Sequence, residues 1–337
     1  MKKRINRLLL ASLGLALAGA AATGQAADIR AQNFKFAYVQ PKESHMGYGV
    51  ERFAELVAQK SGGRMKVRGY PNGTLGGDLQ TVSALQGGTV ELTTMPPGLL
   101  VGLDGQFGIF DLPFLFESFA QADAVLDGPA GSAMMQRLPA GLVGLAYWDH
   151  GFRNVSNSRH PIARAADFEG LKLRSLQAPL MIDTFAALGS NAVAMAFTEL
   201  FTALETHTVD GQDNPIVAFD TNNFGEVQKY ISHTRHVYNP LVVMMSGKAW
   251  DRLNDDERRV LREAAEETRA EQRRVSREME AKAIEHIKGL GVVVTDITPE
   301  ARAEMRAKVR PVTEKYSQAL DPQLVQAFQA AIEQAGR

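Results

Sequence analysis

Short strands and amphipathic helices take turns along most of this chain. That alternation restricts it to layered folds in which helices flank a mainly parallel sheet. Asn33-Phe34-Lys35-Phe36-Ala37-Tyr38-Val39 alternates as a strand does. Val50, Phe53, Ala54 and Val57 then recur at helical spacing before Gly62 and Gly63. Met65-Lys66-Val67-Arg68 reads as a second strand, closed by the turn Pro71-Asn72-Gly73. Asp78 is placed to cap a short helix that turns Leu79, Val82 and Leu85 inward, and Val90 to Thr94 is a third strand. The rhythm resumes with strands at Leu142 to Trp148 and Leu171 to Arg174. A helix over Pro179 to Leu188 follows, and then a helix that Thr198 is placed to cap, with Phe201 and Leu204 inward.

The segment from Asn254 to Lys288 breaks the rhythm. It holds no glycine or proline, begins with a capping pair at Asn254 and Glu257, and stops at Gly289. As one helix it extends about 50 Å, the width of a two-lobed protein. Leu261, Ala264, Ala265, Thr268, Val275, Met279, Ile284 and Ile287 form a loose apolar stripe. The dense Glu and Arg residues around it read as a solvated face, and the stripe is too irregular for a coiled-coil seam.

The first residues give an address. Lys2, Lys3, Arg4 and Arg7 precede an uncharged run from Leu8 to Ala22, and small residues flank Gln25. This is the pattern of a secretory signal cleaved after Ala26. The run is too short and glycine-rich to be a comfortable membrane span, and no later stretch is apolar enough. Export of a free, non-membrane protein is expected. The 337 residues suffice for about two domains. A formal charge of -1, about -5 once the signal is removed, gives no reason to expect nucleic acid. The absence of cysteine excludes disulfides, thiol catalysis and thiolate metal sites.

Motifs for catalysis are few. Gly73-Thr74-Leu75-Gly76-Gly77 lacks the ending of a phosphate loop, and no HExxH, GxSxG or SxxK occurs. His233 and His236 are the only close histidines, without acidic company nearby in sequence. No metal or cofactor is expected. Asp210 and Asp213 are a candidate carboxylate pair, which strand-to-helix loop chemistry explains equally well.

Four residues have a shared chemistry. Arg153 follows a predicted strand and Arg174 ends another, where open α/β sheets place ligands. A guanidinium fork matches the two oxygens of a carboxylate. Asn214, just before Pro215, can donate to the same oxygens, and Phe197 can wall the site.

Six segments in order carry a family resemblance: Tyr70 to Asp78, Phe110-Asp111-Leu112-Pro113-Phe114-Leu115-Phe116, Gly151-Phe152-Arg153, Gly170-Leu171-Lys172-Leu173-Arg174, Met195-Ala196-Phe197-Thr198-Glu199 and Val209 to Pro215. The chain resembles the DctP-type substrate-binding proteins of TRAP transporters over nearly all of its mature length. The resemblance implies an α/β clamshell of the periplasmic-binding-protein kind, its long helix spanning both lobes. Residues 27–150 plus about 240–279 would form lobe I, and residues 151–239 plus about 280–337 lobe II.

It further implies a periplasmic receptor, not an enzyme, that binds an organic acid. The receptor hands its ligand to one small and one large membrane subunit, and a monomer is the simpler expectation. Arg174 would make the main bidentate contact, assisted by Arg153 and Asn214, with Phe197 beside the ligand. Trp148, Asp78 and Gln40 are further candidates for the wall, with Val39 and Gln177 behind them. An exported sensor of the same acids, or an exported enzyme using Asp210 or Asp213, are the competing expectations.

The family often has Glu where this chain has Asp213. Some members carry an acidic residue where this chain reads Met95-Pro96-Pro97-Gly98. The ligand is therefore not inherited from the resemblance.

Overall fold

The computed structural model describes residues 28–336. The expected export signal, residues 1–26, lies outside them. Among the described residues a single mixed sheet of nine strands forms the spine. Its strands are β1 Gln32–Ala37, β2 Met65–Tyr70, β3 Leu92–Met95, β4 Leu142–Asn157, β5 Lys172–Ser175, β6 Asn191–Ala194, β7 Gly211–Pro215, β8 Tyr230–Ser246 and β9 Val293–Thr295. Their order is β2-β1-β3-β8-β4-β7-β5-β6, with β9 added on β8.

The expectation of a mainly parallel sheet holds at the two ends and where β9 runs parallel to β8, but not along the central pairs. At the ends β1 runs parallel to β2 and β3, and β5 runs parallel to β6 and β7. The centre is antiparallel: β3 with β8, β8 with β4, and β4 with β7. The cause is the length of β4 and β8. Both run through the middle of the molecule and join the two parallel ends.

Alternation along β8 shows how the sheet separates two cores. Leu241, Val243 and Met245 face one core, and Val242 and Met244 the other. The first core lies under helix α1 (His45–Lys60) and is filled by Phe36, Phe53, Val50 and Trp148. The second lies under the turn at Gly105–Asp111 and helices α3 (Phe119–Asp127) and α4 (Pro129–Gln136), and continues beneath α5 (Pro179–Ala187), α10 (Pro299–Gln318) and α11 (Pro322–Ala335). A third, smaller core gathers around α6 (Leu200–Glu205) and α7 (Ile216–Thr221).

Helix α9 runs from Asp255 to Gly289, behind α8 (Gly247–Asp251), and begins with the capping box expected at Asn254 and Glu257. Glu257 also pairs with Arg30. Val260, Leu261, Ala264 and Ala265 pack into the first core, and Ala283 and Ile287 into the third. Between them the buried face is polar, with Thr268, Gln272, Arg273 and Ser276, whereas Val275 and Met279 are only half-buried. The apolar stripe is interrupted because α9 there crosses β4. Gln272 accepts from the Asp149 N–H at 2.7 Å and donates to the Asp149 carbonyl at 2.9 Å, while Ser276 donates to the Asp149 carboxylate.

Two helix starts differ from expectation. Helix α2 spans Asp78–Gly87, with Gly77 rather than Asp78 in the capping position, and Leu79 points outward. Asp78 is the first helical residue. Thr198 lies exposed in the single turn Phe197–Glu199, and α6 begins after it.

Candidate anion-binding site

Parallel strands deliver their carboxyl ends to one edge. The ends of β1, β2 and β3 bring Gln40, Asn72 and Thr94 to one wall. The ends of β5, β6 and β7 bring Arg174, Phe197 and Asn214 to another. The walls meet. Gln40 accepts a hydrogen bond from the Asn222 amide at 2.5 Å. A Cβ added to Gly73 would lie 2.6 Å from Thr198, so those two loops are in contact.

Arg174 is 1% exposed. Its Nε donates to the Met195 carbonyl at 3.0 Å, and its Cζ sits 5.9 Å from the centre of the Phe197 ring. Its Nη1 is buried and has no hydrogen-bond partner among the described residues. Burial lowers its pKa to about 10, aided by the like charge of Arg153 and opposed by Asp213 and Asp78. It remains a cation at any physiological pH. Asp78 approaches it from the opposite wall. Loss of water around that half-buried carboxyl pushes it up to about 7, even though Arg174 pulls the other way.

Asn214 is buried in β7 and donates to Gln212 at 2.5 Å, and Gln212 in turn donates to Ser156. Pairing places Gln212 beside Arg174, so Arg174, Gln212 and Asn214 share one face. Arg153 falls on the alternate face. Its Nε binds the Asp213 carboxylate, its Nη2 the Asp213 carbonyl, and its Nη1 donates to Asn239 at 3.1 Å. Asn239 donates to Asp111 at 3.1 Å. Burial pushes the Asp111 carboxyl up to about 6. Burial also pushes Asp213 upward, but Arg153 and His236 outweigh it and hold this carboxyl below the ordinary range. Arg153 thus anchors a buried network at the centre of the sheet.

Asp210 and Asp213 do not act as a pair. Asp210 accepts from the Lys172 N–H and from Arg159, and Asp213 from Arg153 and His236. Trp148, expected at the wall, is instead a core residue. Its ring is fully buried and stacks on Phe36 at 5.9 Å under α1. Strand alternation turns it away from the crevice. Gln177 is exposed, and Val39 lines the crevice mouth. Met95-Pro96-Pro97-Gly98 supplies no carboxylate there; Gly98 backs onto Asp111 so closely that a Cβ would overlap the carboxylate. Asn222 and the unpartnered hydroxyls of Thr94 and Ser175 were not legible as site residues, since nothing in their local sequence marks them.

A family model described as bacterial extracellular solute-binding protein, family 7 (DctP) matches residues 36–319. The chain belongs to this family. The 2,3-diketo-L-gulonate-binding periplasmic protein of Escherichia coli is 34% identical over 297 residues, 88% of this chain and 90% of that one. The sugar acid binding protein of Advenella mimigardefordensis, solved with galactonate, superposes with a TM-score of 0.89 at 42% identity, covering 91% of this chain and all of the other. A TRAP periplasmic solute-binding protein of Ochrobactrum anthropi, solved with its C-terminus in its ligand-binding pocket, gives 0.82 at 49% identity, with coverage of 91% and 96%. The DctP fold is two-lobed, and this chain has it. DctP proteins are receptors of secondary transporters, and the relatives of Escherichia coli and Ochrobactrum anthropi named here are periplasmic.

Proposed function

We propose that this DctP-family chain is exported by the segment ending at Ala26 and works in the periplasm as the receptor of a TRAP-type transporter. It closes over a small organic carboxylate between its lobes and hands it to one small and one large membrane subunit. Arg174 carries the reading: a buried, charged guanidinium with an unpartnered N–H at the meeting of two walls. Leaving such a group unpaired in a dry crevice is costly. A carboxylate relieves that cost, which favours the closed form when loaded.

The lobes follow the limits 27–150 plus about 240–279 and 151–239 plus about 280–337. Their joints at 150 and 240 coincide with the register shift between Asp149 and Gly151 in β4, opposite Asn239 and Pro240 in β8. Gly151 has φ +113°, a conformation other residues rarely adopt. Arg153, with its donors committed, acts by charge and by holding β7, while Asn214 and Phe197 complete the grip on the carboxylate.

Each charge-assisted contact contributes about 1.5–3 kcal/mol, against about 8 kcal/mol for a micromolar ligand. The arginine orients the ligand, and closure over its remainder supplies the balance. The galactonate, 2,3-diketo-L-gulonate and, in Rhodobacter capsulatus, C4-dicarboxylate named for related proteins share the carboxylate. Calorimetry of Arg174→Ala against an organic-acid panel tests the reading. Binding seen with the native chain is lost in this variant, and Arg174→Lys binds at least tenfold more weakly because an ammonium cannot reproduce the fork. Native affinity in either variant would remove Arg174 from the site.

A further inference from the structure

Between the segment that follows Gly105–Asp111 and helices α10 and α11 lies a groove of 500 Å3. Leu112, Phe114, Val325 and Phe328 supply apolar surface to its lining. Arg306 and Arg310, one turn apart on α10, also line it and are exposed. No acidic residue among those described lines it. An adjoining hollow shares Phe114 and Arg306 but carries acids, Glu117 and Glu333. Arg306 donates to Glu117 at 3.0 Å, and its Cζ lies 5.6 Å from the centre of the Phe114 ring. Arg310 meets Glu314 at 3.7 Å, beyond hydrogen-bond reach.

One wall is held in place from within. Phe114 has φ +56°, a left-handed conformation that is costly for a bulky residue. Its N–H donates to the His236 carbonyl at 2.7 Å. At the other end of the same turn Asp111 accepts from Asn239. His236 and Asn239 both belong to the network around Arg153.

We propose that this groove is a second ligand site, separate from the Arg174 crevice, and that it takes a single-chain amphiphilic anion, an aliphatic carboxylate of medium length. The alkyl chain lies on the apolar floor and removes it from water. The carboxylate takes the guanidinium of Arg310, with Arg306 beside it, and points away from Glu117 and Glu333. An exposed ion pair is weak in water, so Arg306 exchanges Glu117 for the ligand at little cost. The fixed wall needs no ordering when the ligand arrives. A neutral chain forgoes the arginines, and a short carboxylate forgoes the floor.

Titration calorimetry of the mature chain with sodium octanoate and with 1-octanol tests this. Octanoate is expected to bind with a dissociation constant of about 1 mM or tighter, and 1-octanol about tenfold more weakly. Arg310→Gln is expected to weaken octanoate about tenfold and to leave 1-octanol unchanged. Ala307→Phe, at an exposed position that lines the groove, should abolish binding of both. Ala303→Phe fills the same groove should the first variant fail to fold. Arg174→Ala is expected to retain one octanoate per chain. Octanoate lost in Arg174→Ala but kept in the groove-filling variants would place it in the crevice and overturn the proposal. So would no octanoate binding, or 1-octanol bound as tightly as octanoate. Displacement of octanoate by phosphatidylglycerol vesicles would make this face a membrane contact and overturn it too.

Discussion

Asp78 and Arg174 are near enough to influence each other's charge, and if both belong to the binding crevice their charges would set how binding depends on pH. Burial pushes the Asp78 carboxyl up to about 7 from its ordinary 3.8, and if the lobes open to expose it that rise would be lost. The closed form therefore binds more protons wherever pH lies between these values. Closure weakens as pH rises through that window and is indifferent to pH above it. Linkage limits the effect of one proton to about tenfold per pH unit. Carboxylate affinity is expected to fall between pH 5 and 7 and to level off by pH 8, and Asp78→Asn should flatten the profile. Isothermal titrations at constant ionic strength measure this. A native profile that is flat from pH 5 to 8, or that rises, would show that Asp78 is ionised in the closed site.

At the level of single residues, Arg174, Phe197 and Asn214 could be placed from the sequence in or beside short strands, and the structure puts them there. Arg153 and Trp148 could be located but not oriented. Both lie in β4, where one position decides which face a side chain meets, and the bulges in that strand are invisible in composition.

Helix α9 shows how far local chemistry carries and where it stops. Its start was readable because Asn254 and Glu257 are local signals, and its end falls at Gly289, one residue beyond the expected Lys288, with Leu290 as the cap. Its middle was not readable, because the buried Gln272 and Ser276 make sense only with β4 beneath them. Strand β8 was missed for a related reason. Its 17 residues carry no steady alternation: charged and histidine positions fill the first half, an apolar run the second, and Pro240 lies between. A proline normally argues against a central strand. It is tolerated here because it sits at the bulge opposite Asp149 and Gly151.

The Gln272 side chain serves the Asp149 backbone as a neighbouring strand would, satisfying its N–H and its carbonyl together. Gln272→Leu nearly keeps the volume and removes both bonds, together with a third from its amide to the His45 carbonyl. Leaving two buried backbone groups unpaired costs about 1–3 kcal/mol each. Urea denaturation should show a loss of roughly 2–6 kcal/mol. A loss below about 0.5 kcal/mol, the level of an ordinary surface substitution, would mean that water or another side chain takes over.

For the whole molecule, the open–closed balance depends on contacts between the lobes as well as on the ligand. The bond from the Asn222 amide to Gln40 joins the end of β1 to the end of α7, and α7 starts directly after Asn214 and Pro215. A neutral hydrogen bond contributes about 0.5–1.5 kcal/mol net. If the closed form alone makes it, Gln40→Ala shifts the balance toward open by that amount. The dissociation constant for the carboxylate should then rise roughly two- to twelvefold. The radius of gyration from small-angle scattering at sub-saturating ligand should rise with it, while at full saturation it should return to the native value. A loss of affinity far beyond tenfold, with the saturated form still compact, would mean that Gln40 touches the ligand itself. An unchanged affinity would show that the lobes close without this bond, and that the Arg174 grip alone draws them together.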